Sequence, residues 1–117
     1  MEQFSDLKGK VLTSVENVKN LKLIFTTVEG QKFKLWHRQD CCENVVIEDI
    51  NGDLDDLTGS EILLAEESSS ELGDALGNES ETWTFYRLAT AKGYVDIRWV
   101  GISNGYYSES VDFDKVD

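Results

Sequence analysis

Apolar and polar residues alternate with a period of two over most of this chain, which is the pattern of half-buried β-strands. The clearest case is the pair of segments at residues 82–86 and 94–99, which are separated by a turn near Gly93. Strand patterns also occur at residues 11–15, 21–26, 33–35, 44–50, 61–66 and 107–113. The alternation therefore predicts a protein built mainly from short strands.

Turn residues separate these segments and set their order. Glu29-Gly30 and Asn51-Gly52 favour sharp turns, and Asn104-Gly105 suits a type I′ hairpin turn that returns through residues 107–113. Asp53 is placed to cap a short helical turn through Leu57. We expect a single antiparallel sandwich or barrel-like meander of about seven or eight strands, with at most one or two short helices.

Length and composition predict one domain over residues 1–117, because 40% hydrophobic content can form one modest core. Residues 68–81 are rich in serine and acidic residues, and we expect a flexible surface loop there. Residues 39–86 contain no Lys or Arg but carry 14 of the 23 carboxylates, and the formal net charge is −12. This charge argues against direct binding to nucleic acid or to anionic membranes.

The amino-terminal residues show no signal-peptide pattern, and no segment approaches the roughly 20 apolar residues of a membrane span. We expect a cytoplasmic protein. Cys41 and Cys42 are adjacent, which strains any disulfide between them, so free thiols in a reducing compartment are expected.

The only histidine lies in the segment His37-Arg-Gln-Asp-Cys-Cys-Glu43, which collects several metal-ligating residue types. His37, Cys41, Cys42 and Asp40 could hold zinc, since zinc favours thiolate and imidazole ligands. The alternative is a buried, hydrogen-bonded histidine with a small packed cysteine, because adjacent strand residues point to opposite faces. A catalytic thiol is disfavoured, since anionic surroundings raise the pKa of a cysteine.

Oxygen ligands are crowded in Glu48-Asp-Ile-Asn-Gly-Asp-Leu-Asp-Asp56, which could suit calcium. An EF-hand does not fit, because Leu54 stands where that loop needs glycine. The alternative is a set of turn-forming and helix-capping acids.

Aromatic residues cluster on the later strands, where packing in the core is their commonest role. An exposed binding surface is the alternative, and Tyr106 and Tyr107 are the candidates beside the predicted turn. A nucleotide pocket formed by Tyr94, Arg98 and Tyr106 is conceivable, although no glycine-rich phosphate loop accompanies it.

Seven sequence motifs lie between residues 37 and 109, and the match that contains them extends over about residues 9–113, nearly the whole chain. They are His37-x-x-Asp40-Cys41-Cys42-Glu43, Ile47-Glu48-Asp49-Ile50-x-Gly52-Asp53, Ala65-Glu66-Glu67, Thr82-Trp83-Thr84-Phe85-Tyr86, Gly93-Tyr94-Val95, Arg98-Trp99 and Ser103-Asn104-Gly105-Tyr106-Tyr107-Ser108-Glu109. In order and spacing they resemble a family of small uncharacterised proteins of tailed phages and prophages. The resemblance implies a phage context and carries no mechanism.

These patterns predict a non-enzymatic, phage-type accessory protein that binds a host or phage protein with a basic surface, in one version by mimicking nucleic acid. The predicted binding residues are Asp40, Glu43, Glu48, Asp49, Asp53, Asp55, Asp56, Tyr106 and Tyr107. No cofactor is expected, with zinc or calcium as the alternatives. A metal-binding protein and a sponge for a small signalling nucleotide are the competing functions, and the oligomeric state is not predicted.

Overall fold

The computed structural model describes residues 3–39, 42–73, 80–103 and 108–116. Eight strands account for most of these residues. They are β1 (Leu12–Val18), β2 (Lys22–Thr27), β3 (Lys32–Trp36), β4 (Asn44–Asn51), β5 (Leu64–Gly73), β6 (Ser80–Thr90), β7 (Gly93–Ser103) and β8 (Asp112–Val116). The helices of the described part are two 3-10 turns, Phe4–Leu7 and Leu54–Leu57.

The strands form two antiparallel four-stranded sheets that pack as a sandwich. Sheet I has the order β1-β2-β3-β8, and sheet II has the order β4-β7-β6-β5. The predicted fold class is therefore confirmed. Because β8 joins β3 and β4 joins β7, the chain crosses between the sheets after β3 and again after β7.

The strand alternation sends one set of side chains into a common core. On β7 the alternate residues Val95, Ile97 and Trp99 are almost fully buried, while Tyr94 before them and Arg98 among them are exposed. Aromatic rings fill the space between the sheets, including Phe25, Phe33 and Phe113 from sheet I and Tyr86 and Trp99 from sheet II. This burial is the main stabilising contribution to the fold.

The 3-10 turn Leu54–Leu57 closes one end of the sandwich, as predicted from its capping residue. The Asp53 side chain accepts a hydrogen bond from the Asp55 N–H at 2.9 Å. The Thr90 hydroxyl donates to the Asp56 carbonyl at 2.6 Å, which ties this turn to the end of β6.

Two local predictions are wrong. Much of the expected loop at 68–81 is strand, because β5 runs to Gly73 and β6 begins at Ser80, and their backbones pair throughout. Backbone hydrogen bonds can order a polar segment that has little apolar surface to bury. Residues 74–79 of that expected loop lie outside the described residues.

The predicted hairpin that returns through residues 107–113 is also wrong. Residues 108–111 are not strand, and β8 pairs with β3 in sheet I instead of with β7. The intervening predicted turn at Asn104-Gly105, together with Tyr106 and Tyr107, lies outside the described residues. In the part of the chain that is described, no helix is long and apolar enough to cross a membrane.

Gly52 makes the turn after β4 at a position where a side chain cannot fit. Its φ is +117°, and an added Cβ would lie 2.6 Å from the Tyr94 carbonyl oxygen. Gly30 also has positive φ, +89°, but an added Cβ there has nothing within 4 Å. A side chain at Gly30 would therefore cost backbone strain alone, whereas a side chain at Gly52 would cost backbone strain and a steric clash.

We expect Gly30→Ala to lower the free energy of unfolding by about 1–2 kcal/mol, the cost of a left-handed non-glycine residue. Gly52→Ala should cost a further 1–3 kcal/mol or so, because the chain must shift to relieve the clash. Urea denaturation followed by tryptophan fluorescence measures both. Equal costs for the two variants would contradict the close packing of Gly52 on β7.

Candidate functional site

The outer face of sheet II carries exposed aromatic side chains that sequence reasoning assigned first to the core. Phe85 is 40% exposed and Tyr94 is 65% exposed. Trp83 is half-buried on the same face, two residues before Phe85 on β6. We call Trp83, Phe85, Tyr94 and the two arginines Arg87 and Arg98 between them the outer aromatic face.

The strand register places cations and rings next to each other on this face. Phe85 on β6 lies opposite Arg98 on β7, and Arg87 lies opposite Asp96. The Arg98 guanidinium is 5.5 Å from the Trp83 ring centroid, and that of Arg87 is 5.8 Å from the ring of Tyr94. These distances fit cation–π contacts, which hold the rings in fixed positions.

Carboxylates pair with both arginines. Arg87 Nε donates to Asp96 at 2.7 Å, and Arg98 Nε donates to Glu48 at 2.5 Å, with Asp49 3.8 Å from a second guanidinium nitrogen. The hydrogen bond to Asp96 raises the pKa of Arg87 above its ordinary value, and the hydrogen bond to Glu48 does the same for Arg98. Both arginines are therefore fixed cations whose charge is already balanced.

An open cavity of about 560 Å³ lies along this face. The carboxylates that line it are Asp49, Glu66, Glu67 and Asp96, and the cations are Arg87 and Arg98. Phe85 is the exposed ring that lines this cavity, and acids outnumber bases around it. Such a surface can hold an apolar group on the rings and a positive charge among the carboxylates.

Of the acids predicted from sequence, Glu48 and Asp49 lie on the outer aromatic face, where a β-bulge in β4 lets both approach Arg98. Asp53, Asp55 and Asp56 lie elsewhere, at the 3-10 turn that closes the end of the sandwich. Asp53 is occupied as the cap of that turn. This placement matches the alternative of capping acids in the sequence interpretation.

Glu43 was predicted to be a protein-binding residue, but the structure places it in the interior. Its side chain is fully buried, and one carboxylate oxygen is 2.9 Å from His37 Nε2. The His37 side chain is only 4% exposed, and its Nδ1 is 2.6 Å from the Ser110 carbonyl oxygen. Since that carbonyl can only accept, Nδ1 carries a proton, and one more proton lies between Nε2 and Glu43.

The predicted metal ligands are only partly described. His37 uses both ring nitrogens for the contacts above, and Cys42 is disulfide-bonded, which differs from the expected free thiols. Asp40 and Cys41 lie outside the described residues. Within the described ranges, no group of three or more His, Cys, Asp or Glu side chains is placed to hold a metal ion.

Residues on and beside the outer aromatic face were missed as site candidates, notably Arg87, Asp96 and Glu66. The signal was present in the alternation, because Trp83 and Phe85 share a strand face with Arg87, and Tyr94 shares one with Asp96. A face that contains charged residues at alternate positions is solvent-exposed. The aromatic residues on it therefore belong to the surface.

The fold and this face define a small antiparallel β-sandwich protein with an aromatic, acid-rich outer sheet face. The chain belongs to the DUF7448 family, a domain of unknown function, whose family model matches residues 5–113. No curated protein and no solved structure matches the chain.

The buried pair of His37 and Glu43 makes a prediction about stability. We expect Glu43→Ala to lower the free energy of unfolding by about 3–5 kcal/mol, because it leaves a buried polar ring without its partner. Glu48→Ala, which removes one side of an exposed ion pair, should cost about 0–1 kcal/mol. Urea denaturation of the two variants measures the difference, and similar costs would show that Glu43 is not a structural anchor.

Proposed function

We propose that this protein is a non-enzymatic binding protein that docks a partner protein on the outer aromatic face of sheet II. The observation that carries the proposal is the exposure of Phe85 and Tyr94 on a sheet face that also bears Trp83. Aromatic residues dominate the energetics of protein interfaces when a partner excludes water from them. Their open position on a regular sheet favours binding over a role in packing.

Charge indicates the kind of partner. Both arginines of the outer aromatic face are paired with carboxylates, while Glu66 and further acids line the same cavity. A partner with lysine or arginine residues around an apolar patch would complement this surface. Such a partner can place its apolar residues on Phe85 and its cations beside the acids.

The resemblance to phage proteins supports a host or phage component as this partner, with the host cytoplasm as the compartment. The nucleic-acid mimic is the weaker version of the proposal. Of its predicted acids, Glu43 is buried, and Asp53 serves as a helix cap. A mimic needs its carboxylates exposed along one surface.

A nucleotide-binding role also has weaker support. Tyr94 and Arg98 do lie on one face, as that hypothesis requires. A phosphate group at Arg98 would have to displace Glu48 and Asp49, and the excess of carboxylates opposes it. The metal-binding hypothesis meets a similar difficulty at His37, whose two ring nitrogens already have partners.

The test compares variants in partner capture and then in direct binding. A protein captured from host or phage-infected lysate by the native chain is produced in pure form, and its Kd is measured for each variant. We expect Phe85→Ala and Tyr94→Ala each to weaken binding about tenfold or more, as removal of an aromatic anchor does at protein interfaces. Added salt should also weaken binding, because the surrounding charges are exposed.

Leu21→Ala is the matched control, because Leu21 is an apolar residue 52% exposed in the turn between β1 and β2. It should leave the Kd within about twofold of the native value, as neutral surface positions do. A partner that binds the Phe85→Ala and Tyr94→Ala variants as tightly as the native chain would overturn the proposal.

A further inference from the structure

Three of the four edge strands in the described part of the chain are protected against pairing with another strand. In β1, a register shift follows Leu12, and the Leu12 carbonyl accepts from the Gly59 N–H at 2.9 Å. In β4, a β-bulge follows Ile47, whose N–H donates to the Asn20 carbonyl at 2.8 Å. Strand β8 has only five residues. Bulges, covering segments and short strands all keep the edge of a sheet from pairing with another chain.

The edge strand β5 of sheet II has none of these protections. It is ten residues long, its pairing with β6 shows no register shift, and it contains neither lysine nor proline. The covering of this edge ends at Ile62, which exchanges backbone hydrogen bonds of 2.8 Å with Gly9 and Lys10. Within the described ranges, residues 64–73 form no backbone hydrogen bond on the side away from β6. A regular edge of this kind offers a row of N–H and C=O groups to another strand.

We propose that two copies of this chain pair through β5, in antiparallel orientation, so that their two copies of sheet II form one eight-stranded sheet. The middle of β5 suits this contact, because Ser68, Ser69 and Ser70 are small, uncharged and exposed. Two such segments can approach to the spacing of paired strands without burying a charge. Serine residues on opposite strands can also form hydrogen bonds with each other.

The positions of the glutamates in β5 select the register of this pairing. With the two-fold axis at Ser68, Glu66 lies opposite Ser70 of the second copy. Glu67 lies opposite Ser69, and the third glutamate of the strand lies opposite an alanine. A shift of the axis by one residue toward the end of β5 would place glutamates directly opposite each other, which is destabilising. The axis at Ser68 pairs residues 64–72 and avoids every such opposition.

The contact uses the backbone edge of β5 and not the rings of the outer aromatic face, so the inference stands without the proposed function. The two surfaces are nevertheless related, because Ser68 on β5 is the strand partner of Phe85 on β6. Pairing at Ser68 would join the outer aromatic faces of the two copies on one side of a continuous sheet. The dimer would therefore present two docking surfaces side by side.

The first test is sedimentation of the purified native chain over a range of protein and salt concentrations. We expect a monomer–dimer equilibrium that added salt shifts toward the dimer, because salt screens the repulsion between two copies of formal net charge −12. Docking of a basic partner on the outer aromatic face has the opposite salt dependence, so the failure of one proposal can be told from the failure of the other. A chain that stays monomeric under all these conditions would overturn the dimer.

Ser69→Glu tests the contact itself. The new carboxylate lies opposite Glu67 at two symmetry-related places, so the dissociation constant of the dimer should rise roughly tenfold. Ser14→Glu is the matched control, because Ser14 is an exposed serine on the protected edge strand β1. It adds the same charge away from β5 and should change the constant less than about twofold, since exposed distant charges are screened. Equal losses for the two variants would show general repulsion and would contradict pairing through β5.

Ser68→Cys tests the register. Residues directly opposite each other on antiparallel strands have Cα atoms about 4.5–5.5 Å apart, a distance that a disulfide can span. Mild oxidation should therefore link two copies of this variant. In Ser70→Cys the two new thiols lie four residues apart along the paired strands, roughly 13 Å, and should stay unlinked. The native chain, in which Cys42 is already disulfide-bonded, is the control. Linking of both variants, or of neither, would rule out the axis at Ser68.

Discussion

The single histidine ties together the two segments that carry the chain between the sheets. His37 follows β3, and its ring contacts Glu43, which directly precedes β4. The other ring nitrogen donates to the carbonyl of Ser110, which lies just before β8. Because one buried side chain holds both crossings, the sheets cannot slide past each other without breaking these hydrogen bonds.

A second buried carboxylate strengthens the same region. Glu109 is 7% exposed and accepts hydrogen bonds from Thr82 at 2.7 Å and from Ser103 at 2.5 Å. The segment before β8 is thereby fixed to β6 and β7 before it reaches sheet I. Gly101 permits this approach, since an added Cβ would lie 2.8 Å from the Glu109 Cβ. Hydrogen bonds of the Glu43 and Glu109 carboxylates thus hold the segments that connect the two sheets, where no strand pairing of the described residues does so.

The uneven charge of the sequence becomes a difference between the two outer faces of the sandwich. The outer face of sheet I carries Lys22, Lys32 and Lys34, and the Lys34 ammonium lies 3.8 Å from the Trp36 ring centroid. The base-free residues 39–86 contain both edge strands of sheet II, β4 and β5. Their acids therefore border the outer aromatic face on both sides, which supports the proposed docking of a basic partner there.

The sequence was sufficient for most of the strands and for the cap at Asp53, because alternation and turn chemistry are local properties. It was insufficient where pairing or burial depends on distant residues. His37 and Ser110 are far apart in the chain, so no spacing rule could show that a candidate metal ligand was a structural hydrogen-bond bridge. The placement of Phe85 and Tyr94 outside the core follows from their charged neighbours on the same strand face, which an aromatic count ignores.

Strand β5 shows why this distinction matters for function. The composition of residues 68–73 predicts a solvated loop, yet backbone pairing with β6 makes this half of β5 an ordered edge. In a strand, successive residues face opposite sides, so Glu66 lies on the side of its strand partner Arg87 and Glu67 on the side of its strand partner Tyr86. A loop could not hold two neighbouring carboxylates on opposite sides of one strand. The ordering of this strand therefore fixes the position of the acids that line the cavity of the outer aromatic face.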